Sequence, residues 1–407
     1  MDAFSLPSVM VVSVLMLLSI LMAYSLTELF LARYSKYHAD KQQSLHMDSA
    51  LELYCHDSTL RNHGDTTEIQ LFEDDPGSRV LVSSGLWGLY EHVCVTTTGT
   101  TQKSRMRMVG KRSENDDEAA FWLCDRNRAL SMAGSSAIEG LAYIPLNGVN
   151  YTALGGKEFD GKKIPYDRLR VADRSLPEVD SAIVRAIASF RPLKDRAVLL
   201  GKEEIPGHVT FEGPGLFACT DVRSPKLDLH GKVVLFADEE LVLGPESSVS
   251  DILVFARSAR VKSGFDGSLQ LFCTDSVVVE KDAHLRSPSG IFIDAGTEHP
   301  CIVLEEDSRV EGYAVVLQDD EFDYELRNPS FRQGRGSLLD GLLFIDGSCR
   351  IMGSVEGAAY VKDCFYSENG VDYPGVLCDS RIVRSDGIAF PLLMTGPGER
   401  KVMKKLF

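Results

Sequence analysis

The sequence predicts a mainly β chain: a parallel β-helix (solenoid) preceded by a transmembrane helix and a small α+β region. Two observations predict it. Residues 6–27, LPSVMVVSVLMLLSILMAYSLT, carry no charged side chain over 22 positions. Further on, four short blocks echo one another: LFAC at 216–219, LFAD at 235–238, VFAR at 254–257 and LFCT at 271–274. A weaker fifth, IDAG at 293–296, gives offsets of 19, 19, 17 and 22 residues. Coils of short strands and turns use about this many residues, and stacking them buries one continuous core.

Composition sets the bounds. The chain has 407 residues, 44% of them hydrophobic, and a net charge of −16. An acidic body argues against general nucleic-acid binding, which requires a basic face. Nine cysteines, at 55, 94, 124, 219, 273, 301, 349, 364 and 378, form no CxxC pair and no zinc-site spacing. They read as buried free thiols.

Residues 1–31 read as a retained anchor. At 1.5 Å per residue the apolar run crosses a hydrocarbon core of about 30 Å, so the lipid bilayer is the partner expected for residues 6–27. No basic residue precedes the run and no small-residue cleavage site follows it, unlike a cleaved signal peptide. Arg33, Lys36 and Lys41 follow it. By the positive-inside rule they place the body in the cytoplasm; a pilin-like arrangement places it outside. Residues 32–66 continue as a helical stalk, free of glycine and proline as far as residue 60.

Residues 67–117 read as a small β-rich region, with strands at 67–72, 78–82, 86–98 and 105–109. Trp87 and Tyr90 are expected in its core. The β-helix is expected over 118–395, with its first coils at 118–163 and corners at Gly140 and Gly148. A helical insertion covers 175–190, where Ser175 and Glu178 form a capping box, and Val179, Ile183, Ala186, Ile187 and Phe190 share one face. Within the coils, Phe217, Phe236, Phe255 and Phe272 are expected to be equivalent and inward-pointing, as are Val242, Val261 and Val278. A looser small–Arg–branched echo recurs around Arg260, Arg309, Arg350 and Arg381. Residues 317–338 read as a projecting loop, 388–394 as a terminal strand, and 396–407 as a basic, solvated tail.

No residue stands out as catalytic, cofactor-binding or metal-ligating. Asp319, Asp320, Glu321, Asp323 and Glu325 are nearly consecutive and read as a solvated charge run. His92 and Cys94 share a strand face, but no second pair completes a metal site. HExxH, GxSxG, P-loop and dinucleotide fingerprints are absent from the sequence.

The run AAFWLCDRNRALSMAGSSAIEGLAYIPLNGVNYTALGGKEFDG at 119–161, with the overall layout, resembles single-pass membrane proteins of Bacteroidetes that carry a β-helical body. The coils at 233–385 also resemble bactofilins, the polymer-forming cytoskeletal proteins, and that resemblance implies a right-handed parallel β-helix. Bactofilin coils are shorter and more regular, and those proteins lack so large an N-terminal region, so self-polymerisation is not carried over. The long first helix loosely resembles that of pseudopilins, without their prepilin-peptidase site. The expected role is a non-catalytic structural or assembly protein of the cell envelope, single-pass in the inner membrane. Its expected partners are further copies of itself or envelope-complex proteins. The alternative is a surface-binding or carbohydrate-active β-helix. An open, flat terminal coil favours end-to-end assembly; a row of carboxylates across successive coils favours the alternative.

Overall fold

The computed structural model describes residues 5–61, 64–98, 102–112, 118–201, 205–294, 297, 299–318, 328–385, 387–394 and 398–406. The chain is mainly β, with a long N-terminal helix and a large parallel sheet. It divides into two units: residues 1–53, 66–82 and 95–105, and residues 54–65, 83–94 and 106–407.

The first unit holds most of helix α1 (Ser5–His56), 52 residues without a break, or about 78 Å of helix. Apolar side chains from Val9 to Tyr37 are exposed along it. This one helix is long and apolar enough to cross a membrane. Its last third is no bare stalk, because His46, Met47, Ala50 and Leu51 are buried. Lys103 pairs with Asp40 and Arg105 with Asp48, while the His46 ring lies 5.8 Å from that of Phe72.

A six-stranded sheet runs in the order Thr66–Gln70, Arg79–Trp87, Tyr90–Thr97, Ser104–Arg112 and Ala389–Phe390, with Arg400–Leu406 also paired to Ser104–Arg112. The single strand expected over 86–98 is broken by a turn at Gly88, where φ is +64°. Trp87 and Tyr90 are buried, as expected. The basic tail is a strand rather than a frayed end. Arg400–Leu406 pairs antiparallel with the 106–111 stretch, and Lys404 bonds Asp251 at 2.8 Å. The expected terminal strand at 388–394 shortens to Ala389–Phe390.

The large sheet of the second unit consists of three rows of parallel strands. One row runs through Leu216–Thr220, Val233–Ala237 and the second halves of Ser248–Ala256, Asp266–Cys273, His284–Asp294 and Arg309–Leu317. A second runs through Asp228–Gly231 and the first halves of those longer strands. The third joins Glu240–Leu243, Ser258–Val261, Ser276–Val279, Cys301–Leu304 and Phe331–Gln333. Parallel pairing requires the chain to leave the row and return, and here it returns after about 20 residues.

The order of stacking differs from the order of the chain. Ala119–Leu123 pairs with Ser354–Glu368, and Ala137–Glu139 pairs with Arg381–Val383. The segment expected to open the coils therefore pairs with the last strands of the parallel rows instead. Leu141–Ile144 and Leu169–Val171 extend that end. The chain then crosses over and restarts at the opposite end, at Val198–Leu199. The crossover contains helix α2 (Ser181–Ala188), six residues shorter at its start than expected. Asp180 caps it, accepting from Ala182 N at 2.8 Å, because Val179 is bridged to Met394 and Asp180 N donates to Leu393 O. That extended contact excludes the Ser175 capping box.

The rows explain the phenylalanine blocks and correct their register. Phe236, Phe255, Phe272 and Phe292 are in register on consecutive strands, with Cys219 before them. Phe217 pairs instead with Val234, two residues off. The fifth block is likewise displaced, since Leu271 matches Ile291 rather than Ile293. The phenylalanines do not face the main core. That core is formed by their neighbours Leu235, Val254, Leu271 and Ile291. The phenylalanines form a second buried layer with Trp87, Ile183, Ile187 and Leu393.

The remaining registers sort similarly. Val242 matches Arg260 and Val278, whereas Val261 matches Leu243 and Val279. The arginine echo splits into two columns: Arg332 pairs with Arg350 in the third row, and Arg309 lies in the column that leads to Arg381 in the second. The branched residue after each arginine, Val261, Val310, Ile351 or Ile382, is buried as expected. Within the expected loop at 317–338, Phe331–Gln333 is a paired strand. The five acidic residues at 319–325 lie outside the described residues.

Candidate functional site

A tripeptide pattern missed in the sequence organises one corner of the second row: Val310-Glu311-Gly312, Leu339-Asp340-Gly341 and Val355-Glu356-Gly357. The three lie in register, so Glu311, Asp340 and Glu356 form a row of carboxylates on consecutive strands. Adjacent strands are about 4.8 Å apart. The apolar member points to the core and the glycine turns the corner. Gly312, Gly341 and Gly357 have φ of +146°, +143° and +136°. A Cβ on Gly341 would lie 1.8 Å from Gly312 O, so only glycine fits there.

The environments of these acids differ. Glu311 accepts from His284 Nε2 at 2.9 Å and Ser287 N at 3.1 Å, and forms an ion pair with Arg309 Nε at 3.0 Å. Burial alone would raise its pKa, but these donors and charges outweigh burial and hold it below the ordinary glutamate value. For Asp340, burial and then the charges of Glu356 and Glu311 raise the pKa, with Arg309 opposing. Its Oδ1 is buried without a hydrogen-bond partner among the described residues, and so is Tyr90 Oη. Asp340 and Glu311 line a cavity of about 190 Å³ with Ser287, Gly312, Lys401 and Met403. One acid whose pKa is lowered thus lies beside another whose pKa is raised, so their environments push the two titrations apart.

This arrangement makes stability depend on pH. An acid whose folded pKa is raised stabilises the fold below its unfolded pKa, and the contribution is lost as pH rises through the folded pKa. Asp340→Asn, which mimics the protonated form, is therefore expected to melt above the wild-type protein at pH 7. The difference should vanish as the pH approaches 3, and thermal melts across that range check it.

A second, larger cavity of about 600 Å³ opens on the third row. Its walls carry Lys281, Arg332, Arg335 and Arg350 against Glu305 and Glu306, over Gln333, Met352 and Tyr366. Earlier in that row the charges alternate: Arg260 is bracketed by Glu240 at 3.3 Å and Glu280 at 3.5 Å. At Arg332 and Arg350 the alternation stops, and two guanidinium side chains occupy adjacent register positions.

Among the described residues no three His, Cys, Asp or Glu side chains are arranged to hold a metal ion. His92 and Cys94 lie on one strand, half-buried, with the His92 ring 5.7 Å from that of Phe211. Among the described residues the nine cysteines form no disulfide, and six of them are buried. Burial pushes Cys273 up to about 12, which leaves it inert as a nucleophile. No protein-family model, curated protein or solved structure matches this chain.

Proposed function

We propose that the protein is a single-pass, non-catalytic scaffold of the cell envelope, anchored in the inner membrane, whose parallel sheet is wound as a right-handed β-helix. The observation that carries this reading is the in-register return of three parallel strand rows around one apolar core, joined in sequence to a helix long enough to span a bilayer. A stack of this kind offers long side walls and two ends. We read apolar residues next to the terminal strands as covering both ends of the core. Phe159 and Ile164 pack on it at one end, where Ile164 N donates to Tyr151 Oη. Leu200 and Ile205 pack on it at the other. Covered ends disfavour end-to-end polymerisation, so partners dock on the side walls.

The test is fractionation and labelling of the full chain. It should sediment with membranes and resist alkaline extraction, whereas a chain lacking residues 1–31 should be released. A cysteine placed at Tyr166, which is 91% exposed, reports the side of the membrane through an impermeant maleimide. Release of the full chain by alkali would refute the anchor, and filaments formed by the purified chain would refute side-wall docking.

A further inference from the structure

We propose that the cavity around Arg332 and Arg350 binds a carboxylate-bearing sugar, as a uronate unit of an acidic glycan. The volume of about 600 Å³ lies within the range of small-molecule sites. Arg332 and Arg350 are neighbours on parallel strands, and neither has an ion-pair partner among the described residues. The other cations are only loosely engaged: Lys281 stands 3.7 Å from Asp307, and Arg335 stands 3.7 Å from Asp379. Two like charges side by side repel each other, and an anion between them relieves that repulsion. In a chain of net charge −16, a cluster of four cations facing one opening is a local reversal of sign.

The polar groups narrow the ligand further. Gln333 lines the cavity but is only 2% exposed, and its Nε2 is already engaged, donating to Ser354 O at 2.9 Å. Arg350 Nε is buried without a hydrogen-bond partner among the described residues, which leaves its terminal nitrogens to meet a ligand. The cavity therefore sets guanidinium and ammonium donors beside the carboxylate acceptors of Glu305 and Glu306. Inorganic phosphate satisfies the donors but offers few protons and is repelled by the two glutamates. A uronate satisfies both sets: the planar guanidinium groups grip its carboxylate, and its hydroxyls donate to the two glutamates. Every lining residue falls between 281 and 366, so the site stands whether or not residues 6–27 anchor the chain.

The test uses the full chain in detergent, titrated calorimetrically with trigalacturonate, with its fully methyl-esterified form and with inorganic phosphate. The acid trimer should bind, and the ester at least about tenfold more weakly, since a hydrogen bond to a charged group contributes about 1.5–3 kcal/mol. Arg332→Gln and Arg350→Gln should each weaken the acid trimer by about tenfold or more. Arg332 is exposed, so Arg332→Gln leaves the fold intact and remains decisive even if Arg350→Gln lowers the melting temperature. Arg223→Gln, at a distant exposed pair with Glu240, should change nothing. Phosphate binding as tightly as the acid trimer, equal binding of acid and ester, or no binding of the trimer at about 10 mM (a free energy of about −3 kcal/mol) would each overturn the proposal.

Discussion

Replacing Arg400 with alanine is expected to lower the unfolding free energy by about 3–5 kcal/mol, the usual result of stranding one partner of a buried ion pair. Glu91 is fully buried, and the Arg400 side chain is only 13% exposed. The guanidinium grips the carboxylate through Nε at 2.9 Å and Nη2 at 3.1 Å, the two-point geometry that makes such pairs strong. Tyr54 Oη adds a donor to the same carboxylate at 3.3 Å, and burial followed by the Glu91 charge drives that phenol upward. Nearby, Arg61 bonds Gly398 O and Cys55 O, fixing the turn into the last strand. Loss of Arg400 removes the two-point partner of this buried carboxylate. Glu91→Leu combined with Arg400→Met should recover much of the loss, because apolar replacement of both partners is often neutral. Denaturant titration followed by far-UV circular dichroism checks both variants. A cost below about 1 kcal/mol, the scale of an exposed pair, would return the last strand to the solvated tail that its composition suggests.

That tail shows why part of the fold was illegible. Lys401, Lys404 and Lys405 dominate its composition, and nothing local announces Asp251 or Glu91, which lie far away in sequence. The same holds for the pairing of 119–139 with 354–383, since periodicity describes a coil and is silent on which coil it touches. The repeat itself was legible because Leu235, Val254 and Leu271 fall in register on successive parallel strands. Its register was less so. A strand with one wet face alternates, and that alternation fixes which residues point inward. Here the first four residues of Val233–Ala237 are buried, and all of residues 252–256. Strands covered on both faces read as continuous apolar runs, so a slip of two residues at Phe217 leaves no trace. The carboxylate row was readable in principle: the glycine that follows each acid marks a corner that only glycine can turn. It was passed over because the intervals are uneven, 29 residues and then 16.

Phe272→Ala is expected to destabilise the protein by about 3–5 kcal/mol, the range for removing a fully buried aromatic side chain. The result bears directly on which face of the strand row is covered. On a β-helix with a bare outer wall, a residue adjacent in sequence to the inward-facing Leu271 would be exposed and cheap to truncate. Phe272 instead has no accessible surface and stacks 4.9 Å from Phe255, with Phe292 at 5.8 Å on its other side. Phe190, next to the crossover helix, stacks on Phe255 at 5.9 Å and meets Trp87 edge-on at 6.3 Å. The phenylalanine column therefore ties the crossover and the Trp87 strand to the sheet. Pairing Phe255→Leu with Phe272→Leu should give a coupling energy of about 0.5–1.5 kcal/mol, the excess that aromatic pairs carry beyond their buried area. Leu271→Ala, on the opposite face, should cost about 2–5 kcal/mol while leaving the near-ultraviolet signal of Trp87 unchanged. Phe272→Ala should lower the protein's stability and alter that tryptophan signal together. A large loss for Leu271→Ala beside a near-neutral Phe272→Ala would mean that the outer layer is not packed, and that the side wall at this position is free to receive a partner.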